Sequence, residues 1–328
     1  MASHLSNPTA GAPASRPAAR PDRHVRIDTV QIVRIVAVLA LLAWAVATPG
    51  FFSRISLLAL LTTVSFIGCV AVGMTFITLS GNIMSFALGV TLSAGTIVFV
   101  AALPFGLLPA LLIALLFGVV VTAVQGWVIG YFRANPIIVS MAAMALITGL
   151  TTWLTGGRGL YIDGTAADVL KSQIGPVPGP LAALLLLTAL GQWVLSYTRL
   201  GRQVIMVGSN PRAARAAGIE AWRPIVFSYA TAGLFTAVAA VLIAARYSSG
   251  DMVHGIGYEY HAISAVLLGG TAIQGGRGSV VNTLLGALML AAVQGLLLLN
   301  GFSTEMQNLL TGVLVLGAIM LQTRGGAR

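Results

Sequence analysis

Little in this chain could make or break a bond. Its four histidines (His4, His24, His254 and His261) lack a ligand spacing such as HExxH, and the single cysteine, Cys69, excludes a thiolate cluster or an internal disulfide. The only lysine, Lys171, follows Leu170, so no GxxxxGK[ST] phosphate loop exists, and no nucleophile stands beside a base. No catalytic residue, metal site or resident cofactor is therefore expected. What remains is a set of neutral polar side chains set into apolar runs: Asn82, Gln125, Thr271, Gln274 and Gln294. Such groups either hydrogen-bond helix to helix or border a polar route through a membrane. We expect Asn82, Thr271 and Gln274 to form a seam along a translocation pathway, with Gln125 and Gln294 as further polar positions on it. The glycine clusters Gly269-Gly270 and Gly275-Gly276-Arg277-Gly278 mark a broken segment there, serving either close packing or gating. Acids are nearly absent from the apolar runs. Asp163, Asp168, Asp251 and Glu259 read as outer-segment residues, Glu305 as a span end, and His261 as interfacial, so ion coupling finds little support.

The second constellation is the polar stretch from Arg199 to Pro224, with five arginines (Arg199, Arg202, Arg212, Arg215 and Arg223) against one acid, Glu220. It contains a short helix with readable ends. Ser209 or Asn210 can cap the free N–H groups, Pro211 suits the first helical position, and Gly218 suits a left-handed stop. One reading is a basic loop that fixes topology. The other is a docking knob for a cytosolic partner, and a transporter lacking both an ion site and a nucleotide site needs either a passive route or a borrowed drive.

The elements that would hold these residues are membrane spans. Of 328 residues, 57% are hydrophobic and 8% charged, against about a quarter charged in soluble domains, and mean hydropathy is +0.94. The net charge of +10 is then a matter of membrane topology rather than nucleic-acid binding. Residues 1–28, rich in Pro, Ala and Arg, read as a disordered basic cytoplasmic tail. Apolar runs of spanning length follow at 30–48, 57–79, 85–103, 107–131, 137–155, 180–198, 224–246, 260–273, 280–299 and 305–323, the eighth being about half a crossing. The expected fold is an all-α polytopic membrane protein of about ten transmembrane helices occupying 29–328, with a cytoplasmic loop at 199–224. With the tail inside, fourteen basic residues lie on cytoplasmic segments, against Arg54, Arg158, Lys171 and Arg246 outside. Both termini are thus expected in the cytosol and the loop 156–180 outside. Spans 2–5 and 7–10 can form an inverted repeat, and AVQG recurs at Ala123–Gly126 and Ala292–Gly295 in equivalent spans.

Several of these residues also carry a resemblance. The segment GRQVIMVGSNPRAARAAGI is similar to the G-x-x-x-x-x-G-x-N-x-x-A-A-x-x-x-G-I region of ribose-type ABC importer permeases. Gly257-Tyr258-Glu259 through AISAVLLGGTAIQGGRGSVVNTLLGALML resembles the following region of the same family, as do Met74-Thr75-Phe76, Ser80-Gly81-Asn82 and Asn135–Val139. The similarity runs from Leu57 to the C-terminus. It departs after Gly81, where many members carry I-D-L-S-x-G and this chain reads Asn82-Ile83-Met84-Ser85, without the acid. The resemblance implies a permease in a bacterial inner membrane, paired with a second copy or a related permease. A cytoplasmic ABC ATPase dimer, carrying ATP and Mg, would lie below, and an extracytoplasmic sugar-binding protein above. Asn210, Pro211, Arg212, Ala213, Ala214, Arg215 and Gly218 would form its ATPase-coupling helix, with Ala213, Ala214 and Ala217 allowing close approach, and the cycle would be alternating access. The competing expectation is an ion-coupled or facilitative carrier of a small polar solute.

Overall fold

A computed structural model describes residues 39–82, 84–162, 173–174 and 177–325. Its helices are α1 (Arg54–Leu79), α2 (Leu88–Ala102), α3 (Leu107–Phe132), α4 (Pro136–Thr155), α5 (Gly179–Tyr197), α6 (Arg199–Ser209), α7 (Pro211–Ala216), α8 (Trp222–Tyr247), α9 (Tyr258–Leu268), α10 (Val280–Leu299) and α11 (Thr304–Gly325). Residues 39–47 are helical as well. Local chemistry sets several ends. Ser53 Oγ accepts the Ser56 N–H at the start of α1, and Asn135 Oδ1 accepts the Ile137 N–H ahead of Pro136 in α4. Gly81 (φ 80°) and Gly156 (φ 63°) turn left-handed just past the ends of α1 and α4.

Among the described residues seven helices are long and apolar enough to cross a membrane: α1, α2 with its 3-10 extension to Phe105, α3, α4, α5, α8 and α10. The chain is an all-α polytopic membrane protein. The other three expected spans take different forms. Residues 30–38 of the first lie outside the described residues, as do the tail 1–28, Asp163, Asp168 and Lys171. The eighth is α9, whose 11 residues reach about 16 Å, half of a ~30 Å apolar layer. Its helix stops at Leu268 rather than 273, because the glycine-rich run that follows takes turns. The tenth is α11, with 22 residues. The third span also starts later than expected, at Leu88.

Every residue of α1 from Val64 to Leu79 is buried, so this helix is the hub, with α8 packed across it. An apolar surface all round a helix is what full enclosure demands. Small residues permit the closest approaches. A Cβ on Gly118 of α3 would lie 2.6 Å from the Gly233 carbonyl of α8, a distance no side chain tolerates. By contrast α4 buries only Ser140 among its 20 residues.

The helices α1–α4 and α8–α11 have matching neighbours. As α8 packs on α3 and α2, so α1 packs on α10 and α9, and the pairs α2–α3, α2–α4 and α3–α4 recur as α9–α10, α9–α11 and α10–α11. The AVQG glycines take part: Gly126 lies against Tyr229 and Gly295 against Leu60, both partners displaced by the same offset in sequence. Two two-residue ribbons, which the sequence reading does not anticipate, complete the described structure. They join β1 (Leu160–Tyr161) to β4 (Ser249–Gly250) and β2 (Gln173–Ile174) to β3 (Val177–Pro178), both antiparallel.

Candidate translocation and coupling site

The stretch between α5 and α8 folds into two helices. Thr198 ends α5 and caps α6, its Oγ1 accepting the Gly201 N–H at 3.0 Å. The amphipathic α6 buries Gly201, Val204, Val207 and Gly208 at i, i+3, i+6 and i+7, leaving Arg199 and Arg202 outward. Asn210 then caps α7, with Oδ1 accepting the N–H groups of Arg212 and Ala213 at 3.1 Å each. Pro211 occupies the first helical position. At the far end the Gly218 N–H donates to the Arg215 carbonyl, the Ile219 N–H to the Ala214 carbonyl, and Gly218 has φ 76°. The capped helix therefore has the ends that its sequence predicts. One expected role changes. Ala214 does not offer close approach to a partner, because it is 1% exposed and turned into this chain. Pro211, Arg212, Ala213, Arg215, Ala216 and Ala217 form the exposed face, as a helix two turns long must divide between an inner and an outer side.

Directly before α7, the end of α6 meets a junction of glycines. The Gly276 N–H donates to the Leu79 carbonyl at the end of α1, at 3.0 Å. A Cβ on Gly208 would stand 2.8 Å from Gly276 N and 2.9 Å from Gly81 N, so three backbones touch here: the turn after α1, the end of α6 and the broken loop 269–279. Gly81, Gly275 and Gly276 all have positive φ (80°, 87° and 70°), a conformation that no side-chain-bearing residue adopts without strain.

This junction gathers part of the expected seam. Asn82 is buried next to Gly81 and donates Nδ2–H to Ser80 Oγ at 2.8 Å. Gln274 is exposed beside Gly275, and Thr271, fully buried in the same loop, has no partner for Oγ1 among the described residues. Gln125 and Gln294 lie elsewhere. Gln125 is buried on α3, and neither of its amide atoms has a partner among the described residues. Gln294 on α10 pairs its Nε2 with His261 Nδ1 of α9 at 3.1 Å. It also lines an apolar cavity of about 470 Å³ with Phe51, Ser56, Thr63 and Gln307. Helix period can bring such residues to one face of one helix, but which faces meet is a long-range matter.

Glu259 is a functional candidate that the sequence reading misses. It is 8% exposed in the first turn of α9, against Gly89 in the first turn of α2. Its Oε2 has no hydrogen-bond partner among the described residues. The cause lies in the preceding segment, which folds back along α2. Ser93 Oγ donates to the Met252 carbonyl at 2.8 Å and accepts the Gly255 N–H at 2.9 Å, while Thr96 Oγ1 accepts the Asp251 N–H at 3.2 Å. Only the adjacency of Glu259 to a helix start hinted at this. In the segment that folds back along α2, His254 stacks on Tyr247 with ring centres 5.0 Å apart and shares a 2.9 Å hydrogen bond with Ser249 Oγ. Burial holds its imidazole below the ordinary range, and the nearby Asp251 carboxylate partly opposes that shift.

Comparison with known proteins accords with this architecture. Residues 56–319 match the family described as branched-chain amino acid transport system / permease component. The chain is 31% identical to the ribose import permease protein RbsC of Escherichia coli K12, over 88% of this chain and 92% of that one. It is 33% identical to RbsC of Bacillus subtilis 168, over 86% and 89% respectively. Identity to the L-arabinose transport system permease protein AraH of E. coli K12 is 29%, over 87% and 88%. A match of this extent, over a chain of stacked apolar helices, is shared ancestry rather than shared composition: this multi-pass membrane protein belongs to the branched-chain amino acid transport system permease family.

Proposed function

We propose that the chain is the membrane permease subunit of an ATP-driven importer for a sugar or sugar-like small solute. The observation that carries this reading is α7, a short basic helix capped at both ends and set on a glycine junction, in a chain without a phosphate loop of its own. In this reading ATPase subunits, which carry the ATP and Mg, grip the exposed face made by Pro211, Arg212, Ala213 and Arg215. Asn210 and Gly218 hold its ends. Movement passes through Ser209 and Gly208 to the Gly81 and Gly275–Gly276 backbones, shifting Asn82, Thr271 and Gln274 at the seam. Gln125 and Gln294 are further polar positions of the pathway. The substrate class rests on the similar permeases named for ribose and L-arabinose, and selection falls mostly to an extracytoplasmic binding protein. A second permease copy, or a related permease, covers the exposed α4. Ten crossings in an inverted repeat are supported by the matching neighbours of α1–α4 and α8–α11. Membership of the permease family supports a bacterial inner membrane, and the arginine distribution supports placing both termini in the cytosol.

The test is reconstitution with the ATPase subunits and binding protein, asking which solutes stimulate ATP hydrolysis. Stimulation by a pentose is expected, together with its loss in Gly218→Val, which still inserts because the spans are untouched. A second reading, an ion-coupled carrier, is favoured by one observation, the buried Glu259 with a free oxygen. Uptake by this chain alone in liposomes, driven by a proton or sodium gradient and abolished in Glu259→Gln, would decide for it.

A further inference from the structure

Outside α7 and the seam, one feature combines charge, concavity and a fixed depth. It is a cleft of about 520 Å³ between the first turn of α6 and the loop following α7, lined by Arg199, Gln203, Gly218, Glu220 and Arg223. We propose that this cleft binds a phosphodiester group, and that its occupant is an anionic phospholipid of the adjoining leaflet.

Depth is the first argument. Arg199 follows the end of α5 at Tyr197 by two residues, and Arg223 is the second residue of α8. Both helices are long and apolar enough to span, so both arginines stand where spans leave the apolar layer, at the level of lipid phosphates. Aromatic residues mark the same level. Tyr197 and Trp193 are exposed on α5, and Trp127, Tyr131 and Phe132 form an exposed, mutually packed cluster at the end of α3. That end of α3 lies against α8, with Gly130 on the backbone of Trp222. Tryptophan and tyrosine favour this boundary, where a ring can face both hydrocarbon and head groups.

Donor chemistry is the second argument. Arg223 is oriented from two sides: its guanidinium carbon lies 5.4 Å over the Trp222 ring, and its Nε donates to Glu220 Oε2 at 2.8 Å. Its terminal nitrogens then form a planar edge suited to two oxygens of one phosphate. With Arg199 across the cleft and Glu220 as its one acid, the site keeps a net positive charge. An acidic protein segment is the weaker fit, since the arginines best presented to one are Arg212 and Arg215 on the exposed face of α7.

Native mass spectrometry of the purified full chain, titrated with phosphatidylglycerol, phosphatidylcholine or inorganic phosphate, tests the assignment. Wild type is expected to retain phosphatidylglycerol over phosphatidylcholine, and Arg199→Gln/Arg223→Gln to bind it at least about ten-fold more weakly. Arg212→Gln/Arg215→Gln should bind it as wild type does. Equal retention by the Arg199/Arg223 variant would overturn the proposal, as would an equal loss in the α7 variant. Displacement of the lipid by inorganic phosphate would point to a soluble anion and overturn the lipid assignment. Should the double variant fail to fold, Arg223→Lys keeps the charge without the planar fork and is expected to weaken retention about three-fold. Unchanged affinity in that variant would also count against the site.

Discussion

Ala214 decides how α7 can be used. Its methyl is buried in this chain while Ala213, one residue earlier, faces outward. A carboxylate at the two positions should therefore act differently. Ala214→Glu buries an unpaired charge and is expected to cost more than about 2 kcal/mol, lowering the thermal midpoint of the detergent-purified chain. Ala213→Glu should leave that midpoint in place and instead weaken association with the ATPase subunits, read by co-purification. A midpoint unchanged in Ala214→Glu would contradict the inward orientation. His254 offers a pH dependence of definite sign. Burial disfavours its charged form, so its folded value lies below the ordinary one. The stability it contributes is complete above about pH 6.5 and declines as pH falls through the depressed value. Hydrogen exchange across 249–255, corrected for intrinsic rate, should accelerate between about pH 7.5 and about pH 5.5. His254→Gln should flatten this response.

At the scale of elements, two glycine contacts separate transmission from stability. Gly118 sits between membrane-spanning helices, 2.6 Å from the Gly233 carbonyl if it bore a Cβ. Gly118→Val must push α3 off α8, at a cost of about 1–3 kcal/mol seen as a lower thermal midpoint. Gly208 sits instead at the end of α6, where a Cβ would meet the Leu79 carbonyl that closes α1 as well as the backbones of Gly276 and Gly81. Gly208→Ala is expected to lower the thermal midpoint too, but also to uncouple solute-stimulated ATP hydrolysis in the reconstituted importer at temperatures where the variant is still folded, which Gly118→Val should not. If Gly208→Ala hydrolyses ATP with full solute stimulation, the junction is packing alone and movement must pass another way. The element most at odds with its surroundings is α4, apolar and exposed along nearly its whole length. Lipid or a second permease would satisfy that face equally well by composition, and crosslinking from single cysteines at Ile138 or Met141 tells them apart.

For the molecule as a whole, the arginine distribution makes one strong demand, that α7 and the loop 156–180 face opposite sides of the membrane. Single cysteines replacing Ala213 and Arg158, in a Cys69→Ala background, should label with impermeant reagents from opposite faces. Labelling of both from outside would contradict the ten-span arrangement.

Spans were legible in the sequence because a helix in lipid must satisfy its own backbone and present about twenty apolar residues, a local requirement that composition meets or fails. The run 280–299 became α10 with the same limits, and α3, α4, α5 and α8 followed their apolar stretches to within two residues. The ends of α7 were equally legible, since Asn210, Pro211 and Gly218 act on backbone groups within three residues of themselves. What tertiary structure alone decided depends on segments far apart in the chain. It turned Ala214 inward, folded residues 249–257 onto α2 so that Glu259 became buried, and split the five polar pathway candidates among three locations. Glycine carries this division within one residue type. A positive φ at Gly218 could be anticipated from the helix it ends, whereas Gly208 is needed because the backbones of Gly81 and Gly276, more than sixty residues away in either direction, pass within reach of where its side chain would stand.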